Sequence, residues 1–528
     1  MNIQDTVFHY HEKTKHHYYR YAASAGYLDW ANQPQPFRSY EGVKPVRLSL
    51  NEKDPAAAYA DLYERSRNQV RPFTPENISL FLALSLGLSA WKTFAESKWA
   101  LRMNPSSGNL HPTESYLIFP SGGAFPAGVY HYNPYLHAIE PRALGEFSFP
   151  AGFLFALTSI HWREAWKYGE RAFRYSNHDI GHAIAAASLA ANLLGWKLAF
   201  CGGISDQDVA GMLGFPKTVW EQGEREYPEL LCSVYPADAK EAPACPDAEL
   251  VRQVSELSFA GRPNRLSESH RDWPLIPETA EATEKPATVY KTPVYPTEPF
   301  YFQEGSGLKA AQIIRQRRSL LACDGVTMIS KAVFLTMLDK TLPRRGTAPF
   351  DFGLGPVNAH LFLFVHRVKD LVPGLYLFIR NAEDLEALKS ACRQDFLWHP
   401  VEKGFPLYRL KEGDFKQEAT DVSCGQLIAG EGVFSLGMIA KFRGTVTGAP
   451  YRYRQLFCET GMIGQVLYLE AEAHGVRATG IGCFFDDPVH DMLGLRDNEF
   501  QSLFHFTVGG PVEDVRLQTS DPYNHYET

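Results

Sequence analysis

Several features that mark large protein classes are missing from this chain of 528 residues. Its eight cysteines form no CxxC pair, which excludes a disulfide scaffold and favours a reducing compartment. The net charge is −8, and no block of lysine or arginine is long enough for nucleic-acid binding. The uncharged run best suited to a membrane span, residues 181–196, is too short to cross a bilayer. Walker A, GxSxG and HExxH motifs are also absent.

Length and composition predict a soluble protein with two domains and extensions. Apolar residues make up 45% of the chain and charged residues 21%, which excludes wholesale disorder. The N-terminus has no apolar signal core, so we expect a cytoplasmic protein. Six prolines in residues 271–300 indicate an extended linker, preceded by a short helix at about 248–257. The predicted divisions are an N-terminal extension (1–50), a first domain (51–240), a proline-rich linker (241–305), a second domain (306–515) and a C-terminal tail (516–528).

The sequence contains an internal repeat with a period of 280 residues. Residues 174–214 match residues 454–494 without a gap. The residues shared by the two copies include Arg174 and Arg454, Gly181 and Gly461, Gly195 and Gly475, Gly202 and Gly482, and Asp206 and Asp486. A period of this length is far too long for a solenoid, so it indicates two copies of one domain. Two such copies can pair within the chain as a pseudo-two-fold dimer.

Each copy is predicted to be an α+β domain, with a mixed or antiparallel sheet flanked by helices. The long helix of each copy is rich in small residues and ends at a glycine in the C′ position, Gly195 or Gly475. Apolar patterning predicts a buried helix at 79–91. It also predicts the strands 116–119, 360–365 and 503–508.

Residues 313–319 (IIRQRRS) open the second copy and are a candidate phosphate site. Arg317, Arg318 and Ser319 are predicted to stand at a helix start, where guanidinium groups, a hydroxyl and free backbone N–H groups favour an anion. The first copy has a weaker version at residues 65–67. The alternative, a solvated basic face of an ordinary helix, stays open.

Two loops carry groups that suit a flat heteroaromatic ligand. Residues 102–112 (RMNPSSGNLHP) form a proline-bounded turn whose candidate contacts are Pro105, Ser106, Ser107 and Asn109. The corresponding loop of the second copy, 348–357, lacks these hydroxyls, so the two halves are not chemically equivalent. A glycine loop, Gly480, Ile481 and Gly482, lets the backbone approach a cofactor edge. Each pattern is also compatible with an ordinary turn.

Lys167 and Tyr168 are the candidate catalytic pair. A neighbouring ammonium lowers the pKa of a phenol, and either group could then act as a base near neutrality. A solvated amphipathic turn is the alternative. His178, Asp179 and His182 form an HDxxH pattern on a helix, but the matched positions in the second copy are poor ligands. We therefore predict no metal site.

PSSGNLHP resembles the PSxxNxQP loop of the FMN-dependent nitroreductase superfamily, with His111 in place of the usual glutamine. RRS at 317–319 resembles the phosphate-binding start of the same superfamily. Together with NPSSGNLHPTESYL, KYGERAFRY and the glycine loop, these motifs are similar to the SagB-type dehydrogenases, a group that includes azoline oxidases. The resemblance covers both copies, roughly residues 60–235 and 306–515.

The resemblance implies one composite FMN site, between the copies. Arg317, Arg318 and Ser319 would hold the phosphate and ribityl chain, and Gly480 to Gly482 would lie near flavin N5. Pro105, Ser106, Ser107 and Asn109 of the first copy would lie against the ring. The mirror site, formed by Arg65, Ser66 and residues 348–357, is expected to be empty or weak, which gives one FMN per chain. Leu321 stands where the superfamily often has a basic residue, so the phosphate needs another cation.

The implied activity is dehydrogenation of a peptide-derived or small amine-like substrate. Lys167 and Tyr168 would supply the base, and hydride would pass to flavin N5. Two alternatives stay open: an NAD(P)H-dependent nitro- or quinone reductase, with NAD(P)H as a transient co-substrate, and a flavin-poor scaffold of a peptide-modifying complex. The intact phosphate and ring contacts speak against a scaffold, and the lysine–tyrosine pair favours dehydrogenation over reduction. No nucleic-acid or membrane partner is expected, and association beyond the pseudo-dimer stays open.

Overall fold

The computed structural model describes residues 2–150 and 152–526, and the side chain of Ser66 lies outside that description. The helices of the first half and the linker are α1 (Ile3–Lys13), α2 (Pro75–Ser85), α3 (His161–Tyr168), α4 (Ala172–Leu193), α5 (Asp206–Met212), α6 (Ala248–Ser255) and α7 (Leu275–Ala282). The strands of this part are β1 (Tyr40–Glu41), β2 (Val46–Arg47), β3 (Leu88–Phe94), β4 (Ser97–Arg102), β5 (Thr113–Phe119), β6 (Gly128–Asn133), β7 (Ala138–Leu144), β8 (Phe153–Ser159), β9 (Trp196–Phe200), β10 (Tyr227–Pro236) and β11 (Arg262–Pro263).

The second half repeats this plan. Its helices are α8 (Ala310–Gln316), α9 (Lys331–Asp339), α10 (Leu385–Ala391), α11 (Lys416–Val422), α12 (Ile428–Glu431), α13 (Arg443–Val446), α14 (Arg452–Ala473) and α15 (Asp486–Leu493). Its strands are β12 (Ile329–Ser330), β13 (Ala359–Val365), β14 (Val368–Lys369), β15 (Gly374–Phe378), β16 (His399–Glu402), β17 (Phe405–Glu412), β18 (Phe434–Lys441), β19 (Arg477–Ile481), β20 (Phe500–Gly509) and β21 (Gln518–Ser520). Among the described residues, no helix combines the length and apolarity needed to cross a membrane.

Each half contains one seven-stranded sheet, and the strand orders confirm the predicted α+β repeat. The orders are β2-β7-β6-β5-β8-β10-β9 and β16-β17-β15-β13-β18-β20-β19. All neighbours in both sheets are antiparallel. Six successive positions are filled by corresponding strands, and only the edge strands β2 and β16 come from different places in the chain. Successive side chains along a strand point to opposite faces of the sheet and enter separate apolar cores. Helices therefore cover both faces of each sheet.

The two halves meet where α4 crosses α14, and the crossing point is the repeated glycine pair. A Cβ atom on Gly181 would lie 2.1 Å from the Cys458 carbonyl oxygen. A Cβ atom on Gly461 would lie 2.1 Å from the His178 carbonyl oxygen. Only glycine lets two helix backbones approach this closely. The pair therefore lies at the pseudo-two-fold axis of an intramolecular dimer.

Reciprocal buried ion pairs also join the halves. Arg174 of the first copy binds Asp486 of the second, with Nη1 2.8 Å from Oδ1. Arg454 of the second copy binds Asp206 of the first. These four residues occupy matched repeat positions, so each contact is made twice, as in an isologous dimer interface.

Two predictions of local secondary structure differ from the structure in these regions. The helix predicted over 79–91 ends at Ser85, because the chain turns at Gly87 and continues as β3, which pairs with β4 and β21. The stretch 271–300 is not wholly extended, since α7 forms within it. Pro277 lies in the first turn of α7, where a backbone N–H has no partner inside the helix. The predicted strands, the helix near 248–257 and the left-handed glycines after α4 and α14 are all observed.

Candidate active site

A cavity of about 670 Å³ lies between the two halves of the chain. Its size falls within the roughly 300–1,000 Å³ typical of cofactor sites. All ten predicted cofactor contacts line it: Pro105, Ser106, Ser107, Asn109, Arg317, Arg318, Ser319, Gly480, Ile481 and Gly482. The structure thus brings together residues of both copies that are up to several hundred positions apart.

The serine-rich loop is held from behind by two buried carboxyl groups that the sequence analysis did not assign. Asp179 of α4 accepts hydrogen bonds from the Ser107 backbone N–H at 3.1 Å and from its hydroxyl at 3.2 Å. Glu164 of α3 accepts a longer bond from the Ser106 hydroxyl at 3.5 Å. Asn109 Nδ2 donates to the Ala100 carbonyl at 2.9 Å, so this amide braces the loop. The loop is therefore fixed before any ligand arrives.

Burial raises the pKa of both carboxyl groups. The pKa of Asp179 rises from 3.8 to about 7, although the hydrogen bonds from Ser106 and Ser107 oppose the shift. The pKa of Glu164 lies well above its usual range, because burial and the neighbouring Asp179 both disfavour its charged form. Glu164 Oε2 has no hydrogen-bond partner among the described residues. A neutral carboxyl thus lies directly behind the loop.

Asp179→Asn should reduce the pH dependence of stability. Folded Asp179 keeps its proton between about pH 4 and pH 7 while the unfolded residue loses it, so the free energy of unfolding falls as pH rises through this window. The shift corresponds to about 4 kcal/mol. Urea unfolding of the ligand-free chain at pH 5 and pH 8 should show a smaller decrease in the free energy of unfolding for the variant than for the wild type. The pH dependence that remains in the variant is attributed to Glu164. Exposed Asp272→Asn is the control. Equal slopes for wild type and Asp179→Asn would contradict the assignment.

The arginine–serine segment is placed at the cavity, but not at a helix start. The helix-start prediction is wrong because α8 ends at Gln316 and Arg317 is its C-cap. The chain then runs extended, with the Leu320 N–H donating to the Ala478 carbonyl at 2.8 Å. A helix C-terminus disfavours an anion, so a phosphate held here would depend on side-chain cations. Arg317 also donates from Nη2 to the Arg102 carbonyl at 3.0 Å and so ties the second copy to the first.

Lys92 and Arg477 are two further cations of this region, and Arg477 is paired with Glu513 through Nη1 at 2.6 Å. Both line the cavity together with Arg318. Lys92 comes from β3 of the first copy, and Arg477 begins β19 of the second. Partial burial and the nearby Arg318 guanidinium lower the pKa of Lys92, and burial beside Arg317 lowers the pKa of Arg318 to about 10. Mutual repulsion of this kind is relieved when an anion binds.

Lys167 and Tyr168 end α3 and face the serine-rich loop. A Cβ atom on Gly108 would lie 2.6 Å from Tyr168 Oη and 3.3 Å from Lys167 Nζ. Tyr168 lines the cavity. The Lys167 ammonium lies over the Tyr168 ring, 5.3 Å from its centre.

The expected lowering of the Tyr168 pKa is wrong. Burial and the nearby Glu164 carboxyl raise the pKa of this phenol well above its usual value. The tyrosine is therefore a neutral hydrogen-bond donor at neutral pH. Lys167 remains the candidate base of the pair.

The HDxxH side chains point to separate partners. Asp179 binds the serine-rich loop, whereas His178 Nδ1 lies 3.0 Å from the Thr460 hydroxyl. His182 lines the cavity, and burial lowers its pKa to about 3. In the part of the chain that the structure describes, no three His, Cys, Asp or Glu side chains form a group able to hold a metal ion.

The mirror site is filled by the chain itself. The ring of Tyr290 from the linker lies against Gly202, where a Cβ atom would be 2.3 Å from Tyr290 Cδ2. Arg65 forms a bidentate ion pair with Asp351 of the degenerate loop, donating from Nε to Oδ2 at 2.6 Å and from Nη2 to Oδ1 at 2.7 Å. Ser66, the other residue predicted there, has its side chain outside the described residues.

The residues of the open cavity fit a flavin mononucleotide. Arg317 Nε, Asn104 Oδ1 and His111 Nδ1 are buried polar atoms of lining residues that have no hydrogen-bond partner in the described structure. Buried polar atoms are normally paired, so a polar ligand is the natural partner. The phosphate end has Lys92, Arg318 and Arg477, and the other end has the fixed serine-rich loop.

Comparisons with known proteins agree with this architecture. A model described as "Nitroreductase family" matches residues 65–222 and 314–510. The chain is 33% identical over 145 residues to the trifolitoxin-processing protein TfxB of Rhizobium leguminosarum bv. trifolii, a match that spans 23% of this chain and only 39% of TfxB. It is 26% identical over 177 residues to MJ1384 of Methanocaldococcus jannaschii, which is named as a nitroreductase, across 31% of this chain and 81% of that protein.

A solved structure shares the tandem fold along its whole length. This protein of Anabaena variabilis, also named as a nitroreductase, superposes with a TM-score of 0.69 at 21% identity. The superposition covers 96% of this chain and 99% of that one. At this identity the likeness shows the fold alone.

Proposed function

The chain belongs to the nitroreductase family, with two copies of the family domain, and on this premise we propose that it is an FMN-dependent dehydrogenase of the SagB type. Its substrate is a peptide-derived or small amine-like molecule. The observation that carries the proposal is the cavity of about 670 Å³ between the copies, which is lined by every residue predicted to contact the flavin.

The chain's own residues divide the work of binding between the copies. Lys92, Arg318 and Arg477 neutralise the phosphate, and Ser319 donates its hydroxyl there. The serine-rich loop, fixed by Asp179, would contact the ring, and the glycine loop would let the backbone approach it closely. FMN, when bound, supplies the two-electron acceptor for the reaction.

In this proposal, Lys167 and Tyr168 at the end of α3 carry out proton transfer and orient the substrate. Lys167 takes the proton that leaves the substrate, and the neutral Tyr168 hydroxyl donates a hydrogen bond that orients the substrate. The buried carboxyl of Glu164 lies three residues before Lys167 on the same helix. The Lys167 ammonium in turn lowers the pKa of this carboxyl, against the rise that burial and Asp179 cause.

The substrate class is supported by the relative named for its part in processing trifolitoxin. The match spans only 39% of TfxB. We therefore use it to propose a kind of reaction rather than a particular substrate. A cavity of about 670 Å³ has room for a cofactor ring together with a small substrate group.

The purified chain should bind one FMN and no second molecule. The mirror site cannot accept the ring while Tyr290 covers Gly202 and Arg65 is paired with Asp351. Flavin absorbance after denaturation, divided by chain concentration, should give a ratio near one. A colourless protein that stays colourless after incubation with FMN would sink the proposal. Rapid anaerobic bleaching by NADH would instead favour an NAD(P)H-dependent reductase.

Removing one cation of the phosphate end should weaken FMN binding without unfolding the chain. Arg477→Gln or Lys92→Gln is expected to raise the Kd for FMN about tenfold, because a charge-assisted contact to the phosphate is lost. Titration followed by flavin fluorescence measures the change. Lys98→Gln, on the same hairpin but outside this cavity, should leave the Kd unchanged. Affinity for riboflavin, which has no phosphate, should hardly change in any variant.

A further inference from the structure

Two cysteines that the proposed reaction does not use line the cofactor cavity. Cys483 directly follows the glycine loop, and Cys424 lies in the loop after α11. The two loops are joined by backbone contacts: the Phe485 N–H donates to the Val422 carbonyl at 2.8 Å, and Gln426 Nε2 donates to the Cys483 carbonyl at 3.1 Å. The two side chains are close enough for each thiol to affect the ionisation of the other.

The surroundings make the two thiols unequal. The neighbouring Cys424 thiol, helped by the Arg171 guanidinium, lowers the pKa of Cys483. Arg171 is close, since its Nη2 donates to the carbonyl of the preceding residue, Gly482, at 3.3 Å. The Cys483 thiol and burial raise the pKa of Cys424. Cys483 is therefore the more nucleophilic of the two thiols.

Both thiols can be reached by small molecules. Each cysteine is half-buried and lines the cavity rather than the apolar core. Cys424 is held in the left-handed region at φ +56°, a conformation that side-chain-bearing residues seldom adopt. Such backbone outliers concentrate at functional positions.

We propose that Cys424 and Cys483 form a redox-active pair that closes into a reversible disulfide on the wall of the cofactor cavity. The oxidant is a low-molecular-weight disulfide of the glutathione class. The Cys483 thiolate attacks one sulfur of that disulfide, its S–S bond breaks, and one thiolate leaves. Cys424 then loses its proton, attacks the Cys483 sulfur and releases the second thiolate, which takes up a proton. Two protein S–H groups become one S–S bond, and one small disulfide becomes two thiols.

The direct test is disulfide mapping on the full-length chain carrying Cys245→Ser. That exposed thiol is removed because the nearby Cys201 affects its ionisation, so the two thiols could form a second pair. After equilibration in glutathione buffers of varied ratio and acid quenching, tryptic mass spectra should contain a peptide that links Cys424 to Cys483. Its fraction should follow the glutathione ratio and disappear with dithiothreitol. Absence of this link at every ratio, or linkage of either residue to another cysteine, overturns the proposal.

Single substitutions assign the two roles. With Cys424→Ser, glutathione should remain attached to Cys483 as a mixed disulfide, because no second thiol displaces it. With Cys483→Ser, neither product should form. Cys483 in Cys424→Ser should be alkylated about tenfold faster than Cys424 in Cys483→Ser, since the thiolate is the reactive form. Equal rates would contradict the assigned roles.

A second measurement rests on the proposed function and asks whether the pair adjoins the cofactor. In the wild-type chain, saturating FMN should slow alkylation of Cys483 about tenfold by occupying the cavity. Exposed Cys245, outside the cavity, should react at an unchanged rate. If FMN does not bind, the proposed function fails while the disulfide result stands. If FMN binds and gives no protection, the placement of the pair beside the cofactor is wrong.

Discussion

Gly461→Ala should destabilise the whole chain, by at least about 3 kcal/mol, because the added methyl group has no space. It would lie 2.1 Å from the His178 carbonyl oxygen, and that atom belongs to a rigid helix backbone rather than to a flexible side chain. The α4–α14 crossing must open to relieve the clash. Since the cofactor cavity lies between the same two halves, the variant should also lose FMN.

The matched control is another helical glycine. Gly444 in α13 has no atom within 4 Å of the position of an added Cβ. Gly444→Ala should therefore be neutral or stabilise the chain by up to about 1 kcal/mol, because alanine loses less backbone entropy on folding. Thermal unfolding should separate the midpoints of the two variants by roughly 3–4 °C. If Gly461→Ala and Gly444→Ala have the same unfolding midpoint, the backbones of α4 and α14 are not in contact at this point.

Gly181→Ala is the reciprocal experiment. Its Cβ atom would meet the Cys458 carbonyl oxygen at the same 2.1 Å. A true pseudo-two-fold axis predicts losses of similar size from the two substitutions. A large loss from only one of them would mean that the crossing lies off the axis.

The sequence predicted the pairing of the halves because the repeat preserves the residues of the interface itself. Gly181 and Gly461 coincide under the 280-residue shift, and the same shift aligns the arginines and aspartates of the reciprocal ion pairs. The serine-rich and glycine loops are short contiguous motifs, so their place at one cavity could also be predicted. The helix start assumed at Ser319 failed because local pattern does not show where α8 ends.

The rest of the site depends on contacts between distant segments. Lys92 and Arg477 come from strands of different copies, and nothing near either residue indicates a phosphate. Leu321, which stands where the superfamily often has a basic residue, indicated only that another cation was needed. Tyr290 fills the mirror site from a proline-rich stretch whose path no local pattern determines. The sequence could have predicted that Glu164 lies beside the candidate catalytic pair. It stands three residues before Lys167 and four before Tyr168, so all three share one helix face.

Lys167→Ala should lower the rate of substrate dehydrogenation about 10²- to 10⁴-fold, because the reaction loses its base. FMN content and thermal stability should be nearly unchanged, since the side chain is partly exposed and does not line the FMN cavity. The rate of flavin reduction in single-turnover mixing measures the chemical step. Lys13→Ala, an exposed lysine in the last turn of α1, is the control for removing a lysine near a helix end.

Two further variants separate a base from a positive charge. Lys167→Arg keeps the charge but cannot accept a proton near neutrality, so it should be nearly as slow as the alanine variant. Tyr168→Phe removes only a neutral donor and should cost less, with the loss shared between kcat and KM. If Lys167→Arg restores most of the rate, the residue acts through its charge, and the base must be sought elsewhere. The nearest alternative is Asp179, whose raised pKa of about 7 would then appear in the pH profile of kcat/KM.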